Sequence, residues 1–233
     1  MPDYEHGVMA KLRLHGFPIS NYYNRIKLAL KIKELEFEEV RAAPAKSGSY
    51  LEINPLGVIP TLEYDGVYYC ETQPIMEFLE EAFPDATPLL PQSPRERQNL
   101  RAIINIIDIH IDRPGRFLRE YKNSGNEVTE AMRAQALEDM NRGIAALNKM
   151  IVYKPYINST TITMADCAAF CSIPLLERFA LKTTGENPLL RLNGFQDYMS
   201  FMMRNPTYAE IFEAEARQSK ILERARKIEK ARQ

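Results

Sequence analysis

Three short stretches of this chain hold more hydrogen-bonding and backbone-directing residues than a packed core requires. The first is Ser20-Asn21-Tyr22-Tyr23-Asn24, three hydroxyls and two amides that run directly into Ile26, Ala29 and Leu30. Those apolar spacings of three and four mark a helix packed on a sheet, so the polar cluster stands at its mouth. The second, residues 54–62, reads NPLGVIPTL. Pro60 cannot donate a ladder hydrogen bond, so it either opens a strand or sits at a bend. Were the Ile59-Pro60 bond cis, the carbonyl and amide of Ile59 would turn outward from the sheet end, where an extended peptide could pair with them. A plain turn is the other reading, and the residues alone leave both open. The third is Glu71-Thr72, ahead of Ile75, Met76, Leu79 and Phe83 at helical spacing. Thr72 reads on its own as an N-cap.

The elements that must carry these residues are legible from period and punctuation. Residues 11–15 (KLRLH) alternate as a strand and are closed by Gly16 and Pro18. Residues 37–40 (FEEV) form a second, short strand. Residues 60–64 and 67–70 are β-rich runs joined by Asp65-Gly66, the dipeptide of a tight hairpin. Strand, helix, strand, loop-rich stretch, hairpin and helix describe a small α/β domain over residues 10–86.

Four prolines in PDATPLLPQSP make 84–94 a linker, and residues 94–233 form an all-helical domain. Leu100, Ile103, Ile104, Ile107 and Ile111 mark one long helix there, and Leu137, Met140, Ile144, Leu147 and Ile151 another. Further helices open at Thr163 and run from 195 to 203. The tail from Glu213 mixes seven basic with four acidic residues and reads as a solvated helix, with an interaction tail as the alternative.

Composition excludes several classes. With 30 Lys and Arg against 31 Asp and Glu, the net charge of −1 offers nothing to a nucleic acid. The start lacks the pattern of a secretory signal, and no apolar run approaches the roughly 20 residues that span a bilayer, so a cytoplasmic protein without a membrane partner is expected. Three cysteines with no CxxC pair suggest neither a disulfide framework nor a metal site. Cys167 and Cys171, four apart, read as core residues on one helical face.

NPLGVIPTL followed by ETQPIMEFLEEAFP resembles the glutathione-binding half of the cytosolic glutathione transferase family. The Thr163-Met164-Ala165-Asp166 stretch matches the family's capping box, in which Asp166 reaches back to the Thr163 amide. The resemblance implies a thioredoxin-like domain followed by an all-helical bundle, a homodimer, and glutathione as co-substrate with no metal. It makes Pro60 the family's cis-proline and Ile59 the residue that pairs through its backbone with the cysteinyl part. It sets Glu71 on the α-ammonium group and Thr72, in place of the commoner Ser, on the α-carboxylate. Lys46, ahead of the proline motif, corresponds to residues that hold the glycyl carboxylate.

Aligning RIKLAL with the same helix of the serine-type classes places Ser20 on their catalytic serine, with Tyr22 as the rival partner of the thiol. The tyrosine-type position holds Phe17, the cysteine-type position is unfilled, and Asn21 stands where many relatives have Pro. Activity would then be detoxifying transfer: the glutathione thiolate attacks a small hydrophobic electrophile or a peroxide. The same stretch also resembles the stringent starvation proteins, which gives the alternative of a non-catalytic interaction protein. A glutathione disulfide reductase is a third reading, although strand alternation turns Cys70, beside Glu71, away from the ligand. Asp108, His110 and Arg113 lie on the long helix, where they could border the acceptor pocket or answer a dimer partner; His110 alternates with isoleucines and reads rather as a packing residue.

Overall fold

A computed structural model describes residues 11–231. Residues 1–10, which hold the expected opening of the first domain and the segment in which a secretory signal would stand, and the last two residues of the charged tail lie outside the described residues. The chain divides into two units, one running to Thr87 together with the residues from Glu213 on, the other Pro88–Phe212.

The first unit contains β1 (Leu12–Gly16), α1 (Asn21–Ile32), β2 (Phe37–Arg41), α2 (Tyr50–Ile53), β3 (Thr61–Tyr64), β4 (Val67–Tyr69) and α3 (Thr72–Ala82). The strands lie in the order β2-β1-β3-β4, with β1 parallel to β2 and antiparallel to β3. A parallel pair needs a crossover, and α1 supplies it. Side chains alternate along β1: Leu12 and Leu14 are buried, while Arg13 and His15 turn to the opposite face and meet Glu63 at 3.1 and 2.8 Å. Leu14, Ile26, Leu30, Leu62, Ile75 and Leu79 are fully buried, each stabilising the unit by about 1.5–3 kcal/mol through loss of apolar surface to water. Asp65 (φ 52°) and Gly66 (φ 73°) make the expected hairpin turn.

The loop-rich stretch before the hairpin contains a helix that the sequence reading did not foresee. At four residues, α2 is too short to leave a periodic trace. Its place is fixed by polar side chains: Tyr50 Oη lies 3.1 Å from Thr61 Oγ1, and Asn54 Nδ2 donates to the same oxygen at 3.0 Å.

In the second unit, α4 (Pro94–Asn105) starts at an N-cap, Ser93, with Pro94 as its first residue. The long helix expected here runs unbroken from Pro94 to Asn123 but changes winding, as α4, a π-helical stretch Ile106–Asp112, and α5 (Arg113–Asn123). Pro114 has no N–H to return to the preceding turn, and the backbone widens before it. The helices α6 (Glu130–Met150), α7 (Met164–Thr184), α8 (Phe195–Met202) and α9 (Pro206–Ala231) follow, α9 running across the division between the units.

Helix α7 is buried on most sides and carries buried Cys167 and half-buried Cys171. Its Thr163–Asp166 capping box forms in both halves. Asp166, with no exposed surface, also accepts from the Ile157 amide at 2.9 Å and the Tyr198 hydroxyl at 3.0 Å. Burial pushes its carboxyl up to about 6 against the pull of these donors.

Candidate functional site

The strand registers bring the three polar stretches to one end of the sheet. His15 pairs with Thr61, so Gly16 and Pro60 each lie one residue past the last pair of β1 and β3. Leu62 pairs with Tyr69, where β4 ends, and Glu71 follows two residues later, at the end of the sheet where β3 begins after Pro60. Gly16, Pro60 and Glu71 therefore all stand at this end of the sheet, with Ile59 one residue before Pro60 and Thr72 one after Glu71.

Ser20 follows the end of β1 by four residues, as the N-cap of α1 with extended backbone (φ −88°, ψ 119°). Its Oγ accepts the Tyr23 N–H at 3.3 Å, and its own N–H donates to the Phe17 carbonyl at 3.2 Å. Asn24 Nδ2 fastens the loop by donating to the Pro18 carbonyl at 2.9 Å. The acceptor side of the Ser20 hydroxyl is used by the helix, and its proton is the part left to serve a ligand.

The two tyrosines have different surroundings. Tyr23 is buried, and its hydroxyl donates to Glu39, which with burial raises its pKa well above the ordinary phenol value. Tyr22 is half-buried, with the Arg25 guanidinium 4.7 Å over its ring. Phe17, at the tyrosine-type position, is half-buried beside the Arg41 guanidinium at 5.2 Å.

The proline motif is held from below. Asn54 Oδ1 accepts the Leu56 amide at 3.1 Å, and the Gly57 amide donates to the Asn54 carbonyl at 2.8 Å. Gly57 has φ +63°, and a Cβ there would lie 1.8 Å from the Ala45 carbonyl oxygen, so only glycine fits. The same close approach carries a bond from the Ala45 amide to the Gly57 carbonyl at 2.9 Å, which places exposed Lys46 beside the motif. The Ile59-Pro60 bond is cis, and both residues are buried.

Glu71, not Thr72, is the N-cap of α3; Thr72 is the first helical residue. The N-cap reading of Thr72 is corrected by one position, because Glu71 already has non-helical backbone, with φ 67° and ψ 123°. A positive φ at a non-glycine residue costs of order 1–3 kcal/mol. The first intrahelical bond runs from Ile75 N–H to the Glu71 carbonyl at 3.0 Å, and Pro74 has no N–H. The amides of Thr72 and Gln73 precede that bond at the positive end of a helix with no acidic residue in its first turn, a setting for a carboxylate.

Cys70 is set opposite Thr61 by the same register and donates to the Ile53 carbonyl at 3.6 Å. Burial and the neighbouring Glu71 charge raise its thiol pKa against the Thr61 bond. In the second unit, the β-carbon of His110 packs 3.0 Å from where a Cβ on Gly143 would stand, and its side chain is exposed. Among the described residues, no group of three or more His, Cys, Asp or Glu side chains is arranged to hold a metal ion, and no helix is long and apolar enough to cross a membrane.

The sequence reading missed the partners of Tyr23. Glu39 on β2 receives the Tyr23 hydroxyl and the Lys27 ammonium, the latter at 2.7 and 2.9 Å. The i, i+4 spacing of Tyr23 and Lys27 was the available signal, but nothing along the chain names the strand residue that joins them.

Residues 14–88 match the family model described as "Glutathione S-transferase, N-terminal domain". A glutathione S-transferase of Pseudomonas putida is 31% identical over 200 residues, which cover 86% of this chain and 90% of that one. A Drosophila melanogaster protein named probable maleylacetoacetate isomerase 2 is 32% identical over 158 residues, covering 64% of this chain and 66% of its own. In fold, the chain is similar to the Tau class glutathione S-transferase of mango, Mangifera indica, with a TM-score of 0.73 at 21% identity over 91% of this chain and 98% of that one. A rice glutathione S-transferase solved in complex with glutathione gives a TM-score of 0.71 at 19% identity, covering 94% and 99%.

Proposed function

The chain belongs to the glutathione S-transferase family, and we propose that it binds glutathione at the sheet end marked by Gly16, Pro60 and Glu71 and activates its thiol with Ser20. The observation that carries this is the Ser20 hydroxyl at the N-cap of α1, oriented by the Tyr23 amide and placed on the same sheet end as the Glu71-Thr72 helix start. A free thiol with a pKa of about 8.5 is only a few per cent thiolate at neutral pH. A hydroxyl donor and the positive end of α1, both aimed at sulfur, favour the anion.

In this reading the Ile59 backbone pairs with the cysteinyl part, beside Pro60. Glu71 meets the α-ammonium group, and the Thr72 hydroxyl and α3 amides meet the α-carboxylate. Lys46 takes the glycyl carboxylate, and Tyr22 is the rival to Ser20 at the thiol. Residues 10–86 form the glutathione-binding domain and 94–233 the helical domain of a cytoplasmic homodimer.

The reaction is transfer: the thiol gives up its proton, and the thiolate sulfur forms a bond to the electrophilic carbon of a small hydrophobic substrate. Either a leaving group departs with its electron pair or the neighbouring atom takes a proton. Glutathione is a co-substrate here, consumed with each turnover. The names of the relatives, transferases and an isomerase, favour this over the regulatory reading.

A glutathione titration followed by the unfolding midpoint tests the site. Glutathione at a hundred times its dissociation constant adds about 2.7 kcal/mol of stability, and Glu71→Ala is expected to abolish the rise. A folded protein with no shift at millimolar glutathione would overturn the reading. An electrophile panel then follows, including a maleyl-type cis-alkene because of the isomerase relative.

A further inference from the structure

We propose that Tyr23, Glu39 and Lys27 form a positioning clamp that sets the hydrogen-bonding geometry of Ser20 toward the glutathione thiol. This rests on the transferase reading above. None of the three touches the ligand in that reading; they act through Ser20.

The clamp is built from both ends of one residue. The Tyr23 backbone N–H is the donor to Ser20 Oγ. Its ring is packed under Gly16, where an added Cβ would lie 2.4 Å from Tyr23 Cδ2. Its hydroxyl reaches Glu39 on the edge strand β2. Tyr23 thus ties the end of β1, the edge strand and the serine side chain to one rigid aromatic group.

Glu39 pairs in parallel register with Leu14, so its side chain lies on the α1 side of the sheet. Lys27, one helical turn beyond Tyr23 and 7% exposed, donates to both Glu39 oxygens. A nearly buried ammonium needs this partner, and the ion pair in turn fixes the carboxylate that holds the Tyr23 hydroxyl. An apolar Phe and Leu in place of the network would pack the helix on the strand equally well. The polar version adds direction: it fixes how α1 is rotated about its axis, and with it the direction of the Tyr23 amide that orients Ser20.

The test uses Tyr23→Phe and Glu39→Gln beside Ser20→Ala, each measured for glutathione binding by the shift in unfolding midpoint and for thiol ionisation by the ultraviolet absorbance of the bound thiolate against pH. Wild type is expected to hold the bound thiol below the free value of about 8.5. Tyr23→Phe is expected to raise that value by about 0.5–1 unit and lower kcat about three- to tenfold, with KM for glutathione within about twofold, the size of one lost hydrogen bond. Glu39→Gln keeps an acceptor for Tyr23 and should shift the thiol less. A Tyr23→Phe protein that loses stability yet keeps wild-type thiol ionisation and kcat overturns the proposal and leaves the network as a structural tie.

If that variant does not fold, the paired replacement Lys27→Met with Glu39→Leu carries the same test, and unchanged thiol ionisation overturns the proposal there too. Wild type that binds glutathione without lowering the thiol pKa also overturns it, with the binding site intact. Absence of any binding by wild type removes the transferase reading itself, and this inference with it.

Discussion

The Tyr23 amide donates to the Ser20 hydroxyl oxygen at 3.3 Å, so Ser20 caps α1 as an acceptor and keeps its proton to give. A side chain that serves the helix and the ligand through different atoms should show two separable effects when it is removed. Ser20→Ala is expected to lower stability by about 1 kcal/mol through loss of the cap. It should also lower kcat by roughly 100-fold through loss of the donor to sulfur. Ser20→Thr restores both in large part, while Tyr22→Phe changes kcat less than threefold. Steady-state kinetics and calorimetry on the three variants decide between Ser20 and Tyr22.

Glu71 is held at φ 67°, a backbone state that glycine adopts without cost. Glu71→Gly should therefore raise the unfolding free energy by about 1 kcal/mol, since relief of strain outweighs the added freedom of the unfolded chain. Glutathione affinity should fall by about 10- to 100-fold through loss of a charged partner. Thermal unfolding with and without glutathione checks both signs, and a variant that is less stable without ligand would show the backbone at Glu71 to be unstrained.

Gly16 has φ +148°, and its missing side chain is the space that Tyr23 fills. Gly16→Ala is expected to cost about 2 kcal/mol or more, because neither the backbone nor the tied ring yields easily. The loss should shrink in Gly16→Ala with Tyr23→Leu, a non-additivity that a double-mutant cycle reads directly.

What the sequence made legible here follows from the range of each interaction. Period and turn chemistry place β1, α1, the hairpin and α3, because Asp65-Gly66 and the apolar spacings act over a few residues. Motif resemblance points to Ser20, Pro60 and Glu71, but their gathering at one end of the sheet depends on strand register, which the chain alone leaves unstated. The assignment of the α3 cap to Thr72 missed by one residue, since a positive φ at Glu71 has no signal in residue type. The widening of the long helix has a visible cause in Pro114, whose missing N–H leaves the preceding turn without a donor. The Glu39 clamp was out of reach, because a 12-residue separation between Lys27 and Glu39 leaves no periodic mark.

Glu39 also predicts an acid dependence. Its partial burial opposes ionisation, but bonds from Lys27 and Tyr23 outweigh that and hold its carboxyl below the usual glutamate value of 4.5. A lowered folded value means the unfolded chain takes up the proton first. The stabilisation is complete above pH 4.5 and is lost as pH falls through the folded value. The stability gap between wild type and Glu39→Gln should narrow from pH 6 to pH 3 when followed by circular dichroism, and a gap that widens on acidification would mean the carboxylate is not favoured in the folded state.

Asp166 predicts the opposite sign. Its folded value is raised from 3.8 to about 6 by burial, which outweighs the bonds from Ile157, Thr163 and Tyr198. The folded protein therefore binds the proton first. The contribution of this group is fully present below pH 3.8 and is lost as pH rises through about 6. Relative to Asp166→Asn, which does not titrate, wild type should gain up to about 3 kcal/mol between pH 7 and pH 4, at about 1.4 kcal/mol per unit. The two variants together separate the effects, because acid narrows the gap for Glu39→Gln and widens it for Asp166→Asn. A flat gap for Asp166→Asn would show that the donors around this carboxylate hold it ionised across the whole range.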